Sequence, residues 1–219
     1  VVTIKTVAQE ALPAGAPGYW AEACRHLVKK DRVMKRLIPQ FALECLHTRG
    51  DAFGTLSRSI VGQQISVKAA QSVWNRFAAL APDFTPEAVL RLKVDDMRAA
   101  GLSARKVDYL VDVALHFVDG RLHVDAWQGM DDEAIIAELV AIRGVGRWTA
   151  EMFLIFHLLR PNVLPLDDVG LINGISQLYF SGEAVSRSEA REVAAAWKPW
   201  STVATWYIWR SLDPLPVVY

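Results

Sequence analysis

Apolar residues recur along this chain at the three- and four-residue spacing of amphipathic helices, and no run keeps the alternation of a half-buried strand. From Tyr19 the pattern sets Trp20, Cys24, Leu27 and Val28 on one face. Between Ala52 and Leu80 two more helices are predicted. Phe53, Leu56, Ile60 and Val61 line the first; Val67, Ala70, Val73, Trp74 and Phe77 line the second, which Ser66 caps. Thr85-Pro86 opens a short helix to about Leu92, with the proline at the position that suits it. Asp95 opens another, ended by Gly101, and Ser103 precedes a longer one from Ala104 to Val118 with Gly120 past its end. Leu122 and Val124 are too short a run for a strand, and Trp127 is expected to seal the core. Val169 to Phe180 reads as helix. Ser186 and Glu189 make a capping box for the next, which runs to about Trp197. Pro199 falls in the first turn of a last helix holding Val203, Trp206, Tyr207 and Trp209. Residues 1–18, with Pro13, Gly15, Pro17 and Gly18, read as an irregular arm with Val2, Ile4 and Val7 as packing candidates, and the tail from Pro214 reads as extended.

One stretch breaks the pattern in an informative way. A helix capped by Asp131, with Asp132 and Glu133 in its first turn, carries Ile135, Ile136, Leu139 and Val140 on its apolar face. Gly144 and Gly146 end it, and a second helix starts at about Arg147 and runs apolar to Leu159, where Pro161 stops it. Glycine lets backbone approach a ligand and adopt positive φ. The amides at the start of the second helix have no partner within it and face outward at the positive end of the dipole, a site for one phosphate. The glycines alone also fit a plain turn between two helices.

Composition narrows the class. A chain of 219 residues, 52% hydrophobic, buries a sizeable core, in one large domain or two lobes. Its formal net charge of zero excludes a broadly basic nucleic-acid binder, so any grip on DNA must be local and salt-sensitive. The basic run of Arg25, Lys29, Lys30, Arg32, Lys35 and Arg36 reads as a solvated helix face, and Arg105 and Lys106 as surface charge. Cys24 and Cys45 are too few for a disulfide scaffold or an iron–sulfur cluster and read as thiols of a reduced compartment. No apolar run reaches membrane-spanning length, and Lys5, Gln9 and Glu10 interrupt any signal-peptide core. The expected location is cytoplasmic, with no membrane partner, and the chain is expected to be a monomer.

Ile142-Arg143-Gly144-Val145-Gly146-Arg147-Trp148-Thr149-Ala150 resembles the helix-hairpin-helix of base-excision DNA glycosylases, the HhH-GPD superfamily. Twenty residues after Trp148, Leu166-Asp167-Asp168-Val169-Gly170 resembles the segment carrying that superfamily's catalytic aspartate. Trp197-Lys198-Pro199-Trp200, with Trp209 nine positions after Trp200, resembles the C-terminal signature of the 3-methyladenine DNA glycosylase II branch. Asp31 to Met34 and Gly101-Leu102-Ser103 with Lys106 and Tyr109 are similar too, so the resemblance spans roughly Asp31 to Leu212, to a short form without an N-terminal mixed domain.

The resemblance implies a function and its residues. Breaking a glycosidic C–N bond passes through an oxocarbenium-like transition state, which a carboxylate stabilises while orienting or deprotonating the attacking water. Asp168 takes that role; read without the resemblance, Asp167 and Asp168 are helix-cap residues, and both readings can hold. Trp148 stands where bifunctional relatives such as endonuclease III carry a nucleophilic lysine, so the resemblance implies a monofunctional enzyme that leaves an abasic site. Trp148 and Trp209 are the implied pocket walls, drawing an electron-deficient alkylated base by cation–π attraction. Met152 and Val169 also line that pocket, where some relatives carry aromatics. In Val61-Gly62-Gln63-Gln64-Ile65-Ser66, Gln64, or else Gln63, fills the gap left by the flipped base. Gly144, Gly146, Arg143, Arg147 and Thr149 hold the DNA backbone. The carbonyls of Val140, Ile142 and Val145 hold a structural Na+ or K+, and the chemistry needs no cofactor.

The expectation is an all-α fold of two helical lobes with a cleft between them: residues 19–49 with 161–219, and residues 50–160, where 131–160 form the helix-hairpin-helix. The function implied is a monofunctional glycosylase flipping alkylated bases of the 3-methyladenine type out of damaged double-stranded DNA, nucleoid-associated in a bacterium. The rivals are a hairpin DNA-binding module without chemistry, which has no use for a carboxylate beside phosphates, and a glycosylase/lyase for another lesion.

Overall fold

A computed structural model describes residues 15–48 and 50–212, and none of them lies in a strand. In chain order the helices are α1 (Trp20–Lys30), α2 (Arg32–Leu37), α3 (Ala52–Gly62), α4 (Val67–Ala79), α5 (Pro86–Leu90), α6 (Val94–Ala99), α7 (Ala104–Val118), α8 (Asp132–Val140), α9 (Arg147–Phe156), α10 (Val169–Tyr179), α11 (Arg187–Ala194) and α12 (Ser201–Leu212). Short 3-10 turns follow α2, α7 and α11. Most of the expected N-terminal arm, and the tail from Pro214, lie outside the described residues. The chain divides into two compact units, one of residues up to Thr48 and from Leu154 on, the other of residues 49–153. The division falls inside α9, after Phe153, where the sequence put it after Arg160.

The first unit is organised on α12. Every residue from Ser201 to Arg210 is buried, as expected of a helix enclosed on all sides. Trp20 of α1 meets Trp206 edge to face at 5.3 Å. Gly174 lets α10 pass close to α12, because a Cβ there would overlap Ile208. One buried threonine ties in the chain that leaves α9: the Thr202 hydroxyl donates to the Arg160 carbonyl and accepts the Val163 N–H at 2.9 Å. The predicted first helix proves to be two. Asp31 breaks it and caps α2, its Oδ1 accepting the Val33 and Met34 amides, while Oδ2 accepts Tyr179 Oη at 2.7 Å and Trp197 Nε1 at 2.9 Å. Burial, with the Asp31 carboxylate beside it, pushes the Tyr179 phenol well above its usual range and keeps it a donor.

The second unit packs α3, α5 and α6 against α7, with Phe53, Leu56, Ile60, Leu110 and Val113 inside. The caps predicted at Ser66, Thr85, Ser103 and Asp131 all accept a first-turn amide. Trp127 is buried as expected, and its Nε1 donates to Glu138 Oε2 at 2.7 Å.

Four expectations are corrected. Of the α4 face only Phe77 is buried, and Val67 is 74% exposed, because α4 offers the core little beyond its last turn. Lys106 is not surface charge: half-buried, it donates from Nζ to the Val61 carbonyl at 2.7 Å, satisfying an orphan group at the end of α3. Burial lowers its pKa. Helix α9 ends at Phe156 rather than Leu159, where φ is +53° and the Arg160 amide turns back to the Leu154 carbonyl. Pro199 precedes α12 rather than entering it, and a turn closed by Trp200 N–H on the Trp197 carbonyl leads into the helix.

Candidate functional site

Asp168 is the N-cap of α10. Its Oδ1 accepts the Leu171 amide at 2.6 Å and the Trp209 indole N–H at 2.8 Å, and the residue is only 6% exposed. The Trp209 ring lies on Phe156 with centroids 5.7 Å apart and planes 14° from parallel. A carboxylate is thus oriented at a helix N-terminus, where the dipole favours its charge, by two donors on separate helices. Its neighbour has a different fate: Asp167 is half exposed and pairs with Arg187 at 2.6 Å. Asp167 is a surface ion pair, and Asp168 is the buried, directed carboxylate.

The structure brings Trp209 to the Asp168 carboxylate, whereas the Val169 side chain faces away from the pair. Val169 is 71% exposed and lines an open depression of about 480 Å³ with Leu166, Asp167, Ile172, Asn173 and Arg187. Neither Asp168 nor Trp209 lines that depression. Trp148 and Met152 belong to the other unit; Trp148 is half-buried in the first turn of α9, and Met152 is buried. Trp200 is half-buried and stacks on Tyr19, 5.6 Å between centroids.

The turn between α8 and α9 is held from below by α7. Gly144 has φ +85°, and a Cβ there would overlap the Tyr109 ring, so both conformation and contact demand glycine. The Arg143 amide donates to Asp112 Oδ2 at 2.7 Å, and the Val145 amide to the Ile142 carbonyl at 3.1 Å. Gly146 is exposed, and a Cβ on it would meet nothing within 4 Å, so the start of α9 is open to solvent. The first-turn amides of α9 have no acceptor within the helix.

Two side chains expected to grip phosphate are placed differently. Thr149 is 7% exposed and presents little surface. Arg147 is forked onto Glu133, Nη1 to Oε2 at 2.9 Å and Nη2 to Oε1 at 2.5 Å, and its Nε donates to Glu151 at 3.0 Å. The hydrogen bonds from Arg147 lower the Glu133 pKa and raise that of Arg147. Arg143 is exposed.

The two glutamines separate cleanly. Gln64 is exposed at the apex of the α3–α4 loop with φ +60°, a left-handed conformation that costs a non-glycine residue on the order of 1 kcal/mol. Gln63 is half-buried, and its Nε2 donates to the Gly144 carbonyl at 2.9 Å. Sequence reasoning missed this bond, and it missed Asp112 and Phe156. Tyr109 carried a signal in the motif it belongs to.

Residues 57–201 match the model of the HhH-GPD superfamily base excision DNA repair protein. The chain is 32% identical to DNA-3-methyladenine glycosylase 1 of Schizosaccharomyces pombe over 197 residues, covering 85% of each chain. Among solved structures, a DNA-3-methyladenine glycosidase from Bacillus halodurans superposes with a TM-score of 0.81 at 36% identity, over 86% of this chain and 88% of that one. The S. pombe 3-methyladenine DNA glycosylase in complex with abasic DNA superposes with a TM-score of 0.75 at 30% identity, over 90% of this chain and all of that one (100%).

Proposed function

Since this chain belongs to the HhH-GPD superfamily of base excision DNA repair proteins, we infer that it is a DNA-3-methyladenine glycosylase acting on alkylated bases in double-stranded DNA. The observation that carries the chemistry is Asp168, buried at the head of α10 and aimed by Trp209 and the Leu171 amide. The reaction breaks the C1′–N bond, whose electron pair leaves with the base. A cationic 3-methyladenine or 7-methylguanine departs as a neutral molecule and is therefore already activated. Asp168 stabilises the positive charge developing on the sugar and accepts a proton from the water that attacks C1′.

Trp148 stands at the position where a lysine would make a lyase, which supports hydrolysis without a covalent intermediate and an abasic product. The left-handed, exposed Gln64 is the side chain that enters the duplex as the base leaves. The open backbone at Gly146 and the first turn of α9 receive a phosphate. The carbonyls of Val140, Ile142 and Val145 supply the hard oxygen donors that suit Na+ or K+, with Ile142 also accepting the Val145 amide. Such an ion would offset the negative ends of those carbonyls beside the DNA. The chain works as a monomer in the cytoplasm on nucleoid DNA, and no described helix is long and apolar enough to cross a membrane.

The test is release of 3-methyladenine or 7-methylguanine from methylated duplex DNA by the wild type and by Asp168→Asn, with duplex binding measured alongside. Release by the wild type, lost in the variant while binding persists, is the expected result. Equal release by both moves the chemistry away from Asp168. Binding without release by either sinks the glycosylase reading.

A further inference from the structure

Gln63 and Gln64 are adjacent, alike in chemistry and opposite in placement. Gln64 projects from the loop apex with a left-handed backbone, while Gln63 turns inward and bonds the carbonyl of Gly144, 81 residues further on. Gly144 is the left-handed residue of the hairpin turn, seated on Tyr109, with the preceding amide fixed on Asp112. The other end of the loop is fixed too, because Lys106 holds the Val61 carbonyl and Ser66 caps α4. Tyr109, Asp112 and Lys106 all belong to α7, so the loop that carries Gln64 and the turn that opens onto solvent at Gly146 stand on one helix. Gln63 is the direct bond between them.

We propose that Gln63 is a positioning residue that sets the register between the inserted Gln64 side chain and the phosphate held at the hairpin. The inference rests on the glycosylase reading above. A duplex gripped at one phosphate presents several nucleotides within reach of a wedge. Which one leaves the stack depends on the distance from grip to wedge. With Gln63 in place that distance is a property of the protein. Without it, the hairpin still binds backbone and Gln64 still inserts, but the two are held to the same nucleotide less tightly, through their separate anchors on α7. The loss then falls on the step after binding.

The experiment is a cycle of four proteins: wild type, Gln63→Ala, Gln64→Ala and the double variant. Three quantities are read: single-turnover release of 7-methylguanine at saturating enzyme, affinity for the same undamaged duplex, and thermal melting. One hydrogen bond corresponds to about a tenfold change in rate, so Gln63→Ala is expected to release base about tenfold more slowly. Its affinity for undamaged duplex stays within about twofold of wild type. In the Gln64→Ala background, removing Gln63 changes release by less than about twofold, since register without a wedge has no effect. Gln63→Lys, which keeps a donor long enough to reach the carbonyl, restores most of the rate. If Gln63→Ala melts without cooperativity, Gln63→Asn, too short for the same bond, takes its place in the cycle. Release by Gln63→Ala at the wild-type rate overturns the proposal. So do losses that multiply in the double variant, or a Gln63→Lys protein that melts normally yet stays slow. A wild type that releases no methylated base overturns the glycosylase reading, and this one with it.

Discussion

Asp31 and Asp168 are built from the same parts. Each is an aspartate at the N-cap of a helix, each is buried, and each accepts the indole N–H of a tryptophan from the C-terminal part of the chain, Trp197 in one case and Trp209 in the other. They differ in the elements they join. At Asp31 two amides bind Oδ1, and Tyr179 and Trp197 bind Oδ2, so both oxygens are committed to joining α2, the end of α10 and the turn after α11. At Asp168 the amide and the indole meet on the single oxygen Oδ1, and the neighbouring position 170 is glycine. Asp31 ties α2 to the end of α10 and the turn after α11; Asp168 ties the first turn of α10 to α12. A buried, capped, tryptophan-bonded aspartate is therefore not by itself a sign of catalysis.

Substitutions can break that comparison or sharpen it. The largest effect is expected from Asp168→Asn, about a thousandfold in the single-turnover rate of base release, with melting nearly unchanged. Asp31→Ala reverses the pattern: it removes a cap and strands two buried donors, a loss of about 3 kcal/mol that lowers the melting temperature by roughly 6–12 °C. Its remaining folded molecules release base at the wild-type rate; a rate defect there would erase the distinction. The tryptophans make a finer pair. Trp209→Phe keeps a ring to lie on Phe156 but loses the bond to Asp168, and release slows about tenfold. Trp197→Phe leaves the rate alone and lowers the melting temperature, a difference readable in calorimetry beside the release assay. The smallest effect is expected at Gly170, where a Cβ would lie 3.1 Å from Asp168 Oδ1 and 3.4 Å from the Trp209 ring. Gly170→Ala is expected to slow release a few-fold, as crowding turns the carboxylate, a change read in the same single-turnover assay.

What was legible in the sequence was local. Ser66, Thr85, Ser103, Asp131 and the Ser186–Glu189 capping box could be placed because a cap and its amide lie three residues apart. The turn at Gly144 and Gly146 was legible for the same reason. Asp168 was set apart from Asp167 only by family resemblance; the physical distinction, an indole bond on one and a surface arginine on the other, comes from residues 41 and 20 positions away. Asp31 was hidden because its partners lie 148 and 166 residues downstream. Lys106 was misread because its acceptor is a carbonyl at the end of another helix. Val67 shows the opposite error, an apolar residue at helical spacing left facing solvent.

The Arg147 fork changes how ionic strength should be understood for this protein. An arginine that binds a phosphate from free solution releases condensed cations from the duplex, and each such contact steepens the decline of affinity with salt. Arg147 already holds Glu133 and Glu151. A phosphate that reaches it exchanges one anion for another, and the displaced carboxylates recover a counterion as the DNA gives one up. At this position the decline of affinity with salt is therefore expected to be shallower than a free arginine would give, measurable as the slope of duplex affinity against salt for the wild type beside Glu133→Gln.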